Sequence, residues 1–251
     1  MEHFRARDGR ELAYRALGRG RTLVLFHGFG GSGRDWLAPA EVLAGHGHRV
    51  ILPDLRGHGA SAAPRDPAAY PPDVLADDGF ALLDHLVLDD HSPDHYSPDD
   101  YDLGGYSFGG RVVVRLLARG ARPGRAVVAG QGLDAVRRAT SRTGVLHDAL
   151  TTLIEGRPVA PGSPAYWIRQ AGSDPVALRH VLGTHVPTAG LHRITTPTLV
   201  LVGAEDDGHA TADALAATLP NGRFARVPGT HFTAMSSPEL TAAMADFLAQ
   251  A

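Results

Sequence analysis

A chain of 251 residues with no cysteine, 24 basic residues that are all arginine and a formal net charge of −3 excludes several chemistries at the outset. Disulfides, thiolate nucleophiles, cysteine metal sites and lysine Schiff bases are all ruled out, and the charge balance supplies no overall basic field for nucleic acid or anionic lipid. The length suffices for one large hydrophobic core. A small neutral or organic partner is expected, with no nucleic-acid or membrane partner.

The opening stretch MEHFRARDGRELAYRALG has acids among its arginines and no apolar run of signal-peptide length, and no later stretch approaches the ~20 apolar residues of a membrane span. A cytoplasmic protein is the expectation. Residues 11 to 17 (ELAYRAL) and 22 to 26 (TLVLF) read as strands, the second continuously apolar and therefore buried on both faces. The glycine-rich loop HGFGGSG follows, then a helix over 35 to 45 capped by Asp35, then a strand HRVILPDL over 48 to 55 that runs into the turn RGHGAS. Helical spacing over 73 to 88 gives way to the acidic stretch DDHSPDHYSPDD (89 to 100), read as an exposed loop. His91 and His95 with their acidic neighbours offer metal-type ligands there, but without fixed geometry such a loop stays solvated, and no metal site is assigned.

YDLGGY (101 to 106) is a strand by position, FGGRVVVRLLARG (108 to 120) a helix, and RAVVAG (125 to 130) another strand. About sixty residues rich in Pro, Gly, Thr and Arg come next, with short helical stretches such as 174 to 185. We read about 131–192 as a cap inserted into a single domain spanning 1–251. Alternation resumes with TPTLVLVG (196 to 203), a helix over 210 to 219, a strand RFARVPG (223 to 229) and a closing helix from Pro238. Strands alternating with helices specify an α/β fold, a mostly parallel twisted sheet with helices on both faces.

Ser107 sits in LGGYSFGG between the strand and the helix that opens directly behind it. A G-x-S-x-G at such a junction forces the serine into a strained turn at the C-terminal edge of the sheet, where the N–H of Phe108 points at a developing oxyanion. Serine alone is a poor nucleophile and requires a base and an orienting acid. His231, in VPGTHF after the final strand, is the base. Of the acids after LVLVG, Asp206 is favoured by position over its neighbours Glu205 and Asp207, and Asp134 is the alternative after the preceding strand. The second oxyanion N–H is assigned to Phe29 in HGFG, with His27 structural. Tyr166 and Trp167 are assigned to the lining of the substrate pocket, and Trp36 to core packing.

HGFGG, DLRGHGAS, GYSFGG, LVLVGAEDD and VPGTHF, in this order, resemble the α/β-hydrolase superfamily over nearly the whole chain outside the cap. The resemblance implies a cofactor-independent serine hydrolase acting on a carboxylic ester or a related small acyl compound through an acyl-enzyme. Superfamily members that open epoxides or remove halides carry aspartate where this chain has Ser107. HGFGGSGRDW with GYSFGGR is also similar to the menaquinone-pathway lyase that forms 2-succinyl-6-hydroxy-2,4-cyclohexadiene-1-carboxylate. That second resemblance implies that Arg111 holds an acidic substrate, with cap arginines such as Arg137, Arg138, Arg142 and Arg169 in support. A non-catalytic ligand-binding homologue is a third implication of the fold.

Overall fold

A computed structural model describes residues 1–89, 101–138 and 143–250. The acidic stretch beyond residue 89, with His91 and His95, and Arg142 lie outside the described residues. Among the described residues, eight strands form one sheet in the order β1-β2-β4-β3-β5-β6-β7-β8, comprising β1 (Glu2–Arg5), β2 (Glu11–Leu17), β3 (Arg21–Phe26), β4 (His48–Pro53), β5 (Tyr101–Tyr106), β6 (Arg125–Ala129), β7 (Thr198–Gly203) and β8 (Gly222–Val227). The pairings β1/β2 and β2/β4 are antiparallel, and all pairings from β4 through β3 to β8 are parallel. This is the α/β-hydrolase fold. Among the described residues no helix is long and apolar enough to cross a membrane.

The alternation of β3 decides what covers each face. Leu23 and Leu25 point into a core shared with Trp36, Leu43, Met244 and Phe247, contributed by the 3₁₀ turn Gly33–Trp36, α1 (Leu37–Gly45) and α9 (Pro238–Leu248). Val24 and Phe26 point the other way, into a core with Leu82, Val113, Leu116 and Leu215 from α2 (Val74–Asp89), α3 (Phe108–Ala118) and α8 (Ala212–Thr218). Both faces of β3 are thus dry, as its unbroken apolar run demands. Each wholly buried leucine contributes roughly 2 kcal/mol by area removed from water.

Between β6 and β7 lie α4 (Leu133–Arg137), α5 (Thr143–Ile154), α6 (Pro164–Ala171) and α7 (Pro175–Leu182). Leu150, Ile168, Leu178 and Leu182 make a separate small core among α5, α6 and α7, and Phe29 packs against it. Phe29 also packs against the core beneath α2 and α3, so one side chain ties these helices to the loop after β3.

Several boundaries differ from the sequence expectation. The strand β1 was not anticipated, because its burial pattern shields only Phe4 and four mixed residues carry too little alternation. Asp35 is not the cap of the first helix. Ser32 caps the 3₁₀ turn instead, Asp35 accepts from the Ser32 N–H in return, and α1 starts only at Leu37. The strand expected to reach Leu55 ends at Pro53, since the next residue, Asp54, turns away to accept from Gly33 and Ala60 N–H groups.

Candidate active site

The local chemistry starts at the junction of β5 and α3. Ser107 adopts φ 53 and ψ −114, in the positive-φ region that L-residues avoid, and the surrounding packing must pay for this. Two glycines make it possible. A Cβ on Gly105 would run into the Gly109 backbone, and one on Gly109 would run into the carbonyls of Phe26 and His27, so strand and helix meet at a distance only glycine allows. The Ser107 N–H donates to the Ala129 carbonyl at 2.8 Å, and Gln131 Nε2 donates to the Ser107 carbonyl at 2.6 Å. Both backbone groups of the strained residue are therefore held from β6 and the residues just beyond it.

His231 follows β8 and Asp206 follows β7, and the structure brings both to Ser107. The Ser107 Oγ lies 2.9 Å from His231 Nε2, and His231 Nδ1 lies 2.7 Å from Asp206 Oδ2. Burial opposes the charge on Asp206, but hydrogen bonds from His209 and His231 outweigh it and hold the carboxyl well below the usual carboxylate range. The Tyr106 hydroxyl donates to the His231 carbonyl at 2.6 Å, fixing the loop that carries the imidazole. Asp134 is elsewhere: it is exposed at the start of α4 and pairs with Arg138 at 3.4 Å. Glu205 and Asp207 are also exposed.

The loop after β3 is built on two buried histidines. His27 Nδ1–H donates to the Gly28 carbonyl at 2.7 Å, and its Nε2 accepts from the Leu55 N–H at 3.0 Å. His58 Nδ1–H donates to the Arg56 carbonyl at 3.0 Å, and its Nε2 accepts from the Gly30 N–H at 3.0 Å. Each ring must be neutral to accept at Nε2. Burial, reinforced by neighbouring His27, pushes His58 down to about 3, and burial likewise lowers His27. The loop so held passes the nucleophile closely, since a Cβ on Gly28 would stand 3.7 Å from Ser107 Cβ.

A pH dependence of stability follows. The unfolded chain protonates His58 near pH 6.5, while the folded chain resists protonation down to about 3, so in this window the unfolded state binds more protons and stability falls as pH falls. One such histidine contributes about 1.4 kcal/mol per pH unit at most. The melting temperature of the wild type is expected to drop on acidification from pH 7 to pH 4, and His58→Gln, though less stable at pH 7, to show a shallower dependence. Thermal unfolding at several pH values reads this directly; an equally steep dependence in the variant would contradict it.

Phe29 and Phe108 meet edge to face with ring centroids 5.6 Å apart. In the first turn of a helix the Phe108 N–H has no intrahelical acceptor. Tyr166 and Trp167 lie on α6 with their rings 5.1 Å apart, Tyr166 half-buried and Trp167 54% exposed. The next residue, Ile168, fills the space where a side chain on Gly30 would stand, which seats α6 on the loop after β3. Phe232, beside His231, is 69% exposed, so aromatic surface borders the histidine as well.

Arg111 Nε donates to Gln131 Oε1 at 3.3 Å. Its guanidinium, pulled down to about 10 by burial, lines a small cleft with Phe108, Arg115, Thr184 and His185. Of the other arginines suggested for an acidic substrate, Arg138 is taken by Asp134 and Arg169 lies over the Tyr166 ring, 6.0 Å from its centroid. Trp36 is fully buried, and its Nε1–H donates to the Phe26 carbonyl at 3.1 Å. Sequence reasoning missed Tyr106, Gln131 and His209 as members of this constellation and His58 as the support of Gly30.

Known proteins resemble the chain in sequence and in fold. The model of the Alpha/beta hydrolase family matches residues 23–244. An epoxide hydrolase of Caballeronia sordidicola is 36% identical over 81 residues, covering 32% of this chain and 25% of the relative. A non-heme haloperoxidase of Rhodococcus erythropolis is 38% identical over 90 residues, covering 36% of this chain and 32% of the relative. The matches thus span a third or less of these relatives' lengths. Among solved structures, a thermophilic esterase from Thermogutta terrifontis superposes with TM-score 0.72 at 27% identity, covering 98% of this chain and 97% of the other. The enol-lactonase from Burkholderia xenovorans LB400 gives TM-score 0.72 at 25% identity, covering 99% and 100%. With the family model matching from β3 into α9, the chain belongs to the alpha/beta hydrolase family.

Proposed function

We propose that the chain is a cofactor-independent serine hydrolase that cleaves a carboxylic ester or a related small acyl compound through an acyl-enzyme. The observation that carries this reading is the continuous hydrogen-bonded relay from Ser107 through His231 to Asp206, at 2.9 and 2.7 Å. His231 Nε2 takes the Ser107 proton as Oγ attacks the substrate carbonyl, and Asp206 stabilises the imidazolium that forms. The N–H groups of Phe29 and Phe108 receive the oxyanion. His231 then protonates the leaving alcohol, and the same imidazole activates the water that releases the acid.

The identity of the nucleophile separates this reaction from that named for the epoxide hydrolase relative. Opening an epoxide by covalent catalysis needs a carboxylate, because the ester it forms can be hydrolysed, whereas a serine would be left as a stable ether. Phe29, Phe108, Tyr166 and Trp167 supply apolar surface suited to an acyl or alkoxy chain, the last two from a cap over the loop after β3. The lyase reading draws on Arg111 in its cleft beside the elbow.

One assay tests both. p-Nitrophenyl esters of increasing chain length and the menaquinone precursor are offered in parallel to the wild type and to Arg111→Ala. Ester cleavage in the wild type, retained in the arginine variant, is the expected result. Elimination from the precursor, negligible ester cleavage and loss of activity in Arg111→Ala would replace hydrolysis by the lyase reaction.

A further inference from the structure

The carboxylate of Asp206 serves two imidazoles. His209, three residues on in the 3₁₀ turn Asp207–His209, is buried at 5% exposure, and its Nδ1 lies 3.1 Å from Asp206 Oδ1 and 3.0 Å from Oδ2. Its ring stacks on His231, with centroids 4.6 Å apart and planes 21° apart. Both rings thus approach the same acid side by side, yet only His231 reaches Ser107. The serine relay requires one histidine and one acid, so the second histidine is surplus to it.

We infer that His209 is a positioning residue: its Nδ1–H donates to Asp206 and holds the carboxylate so that Oδ2 faces His231, while its ring backs the imidazole that becomes charged. This rests on the serine-hydrolase reading for what the relay does, but the geometry is independent of the substrate. A carboxylate held by a single donor is free to rotate about its terminal torsion, which is broad; the second, forked bond from His209 removes that freedom. The second donor also shares the negative charge of Asp206, leaving less of it to favour protonation of His231. Tyr106 reaches from β5 to the His231 carbonyl, with burial raising its phenol. Asp134 and Arg138, from α4 packed on the same turn, are exposed and face each other.

His209→Phe keeps a flat ring against His231 and removes the donor, whereas His209→Asn returns an N–H near the position of Nδ1. With p-nitrophenyl acetate, His209→Phe is expected to lower kcat by about 10- to 100-fold with little change in KM, as loss of alignment does. The acidic limb of its pH profile should move to higher pH, and His209→Asn should recover much of both. The imidazole titration of His231, followed by NMR, should show the same upward displacement in His209→Phe and its reversal in His209→Asn. If the Phe variant does not fold, His209→Leu takes its place in the comparison. Equal kcat and equal His231 titration in the donor-free and Asn variants would overturn the inference. The titration needs no turnover, so a displaced titration in a wild-type background that cleaves no ester would keep the positioning role and reject the hydrolase reading.

Discussion

Ser107→Ala is expected to reduce kcat for ester cleavage by about 10⁴-fold or more while leaving the melting temperature within a few degrees of wild type. The hydroxyl forms no part of the core. Its hydrogen bond is to His231 Nε2, and the backbone anchors of residue 107 to Ala129 and Gln131 are independent of the side chain. Alanine fits the same turn without new contacts, although it inherits the positive φ. Turnover of purified enzyme and thermal unfolding measured on the same preparation check both halves. A variant retaining wild-type turnover would remove Ser107 from the reaction.

Asp206→Asn is expected to be nearly as damaging, lowering kcat by up to about 10⁴-fold, whereas Asp134→Asn and Asp207→Asn should stay near wild type. The amide carries no charge to balance an imidazolium, and its N–H₂ favours the wrong tautomer of the base. Asp134 pairs on the surface with Arg138, and Asp207 is exposed, so neither carboxylate bears on the relay. Steady-state kinetics of the three variants side by side decides the matter; a large loss in Asp134→Asn with little in Asp206→Asn would contradict the geometry.

What the sequence disclosed, and what it withheld, divides along the distance over which each contact acts. The strands over 11 to 17 and 101 to 106 have the bounds read from their residues, because periodicity, flanking glycines and the elbow are local. Ser107, His231 and Asp206 were each legible from a position at the end of a strand, even though Ser107 and His231 stand 124 residues apart, since a parallel sheet delivers all its C-terminal strand ends to one edge. Tyr106 and Gln131 offered no such cue. Tyr106 reads as the last residue of a strand and Gln131 as a loop residue, and only packing shows that one holds the His231 loop and the other the elbow carbonyl. His209 did carry a faint signal, three residues after the favoured acid, but with fourteen histidines in the chain spacing alone could not single it out. The helices α5 and α6 were not singled out in the segment read as a cap, because its Pro, Gly and Thr content loosens the pattern to short helical stretches. Their stability comes from Leu150 and Ile168 packing on one another and on α7, a reward that propensity does not register.

Covalent acylation of Ser107 is open to direct detection by mass spectrometry. Enzyme mixed with a p-nitrophenyl ester and quenched in acid within the first turnover should gain the mass of one acyl group, located by digestion to the peptide carrying Ser107. The adduct should be absent from Ser107→Ala and should accumulate in proportion to a burst of p-nitrophenol. Turnover with no adduct on the wild type, or an adduct that persists on another residue when Ser107 is alanine, would exclude Ser107 as the acylated nucleophile.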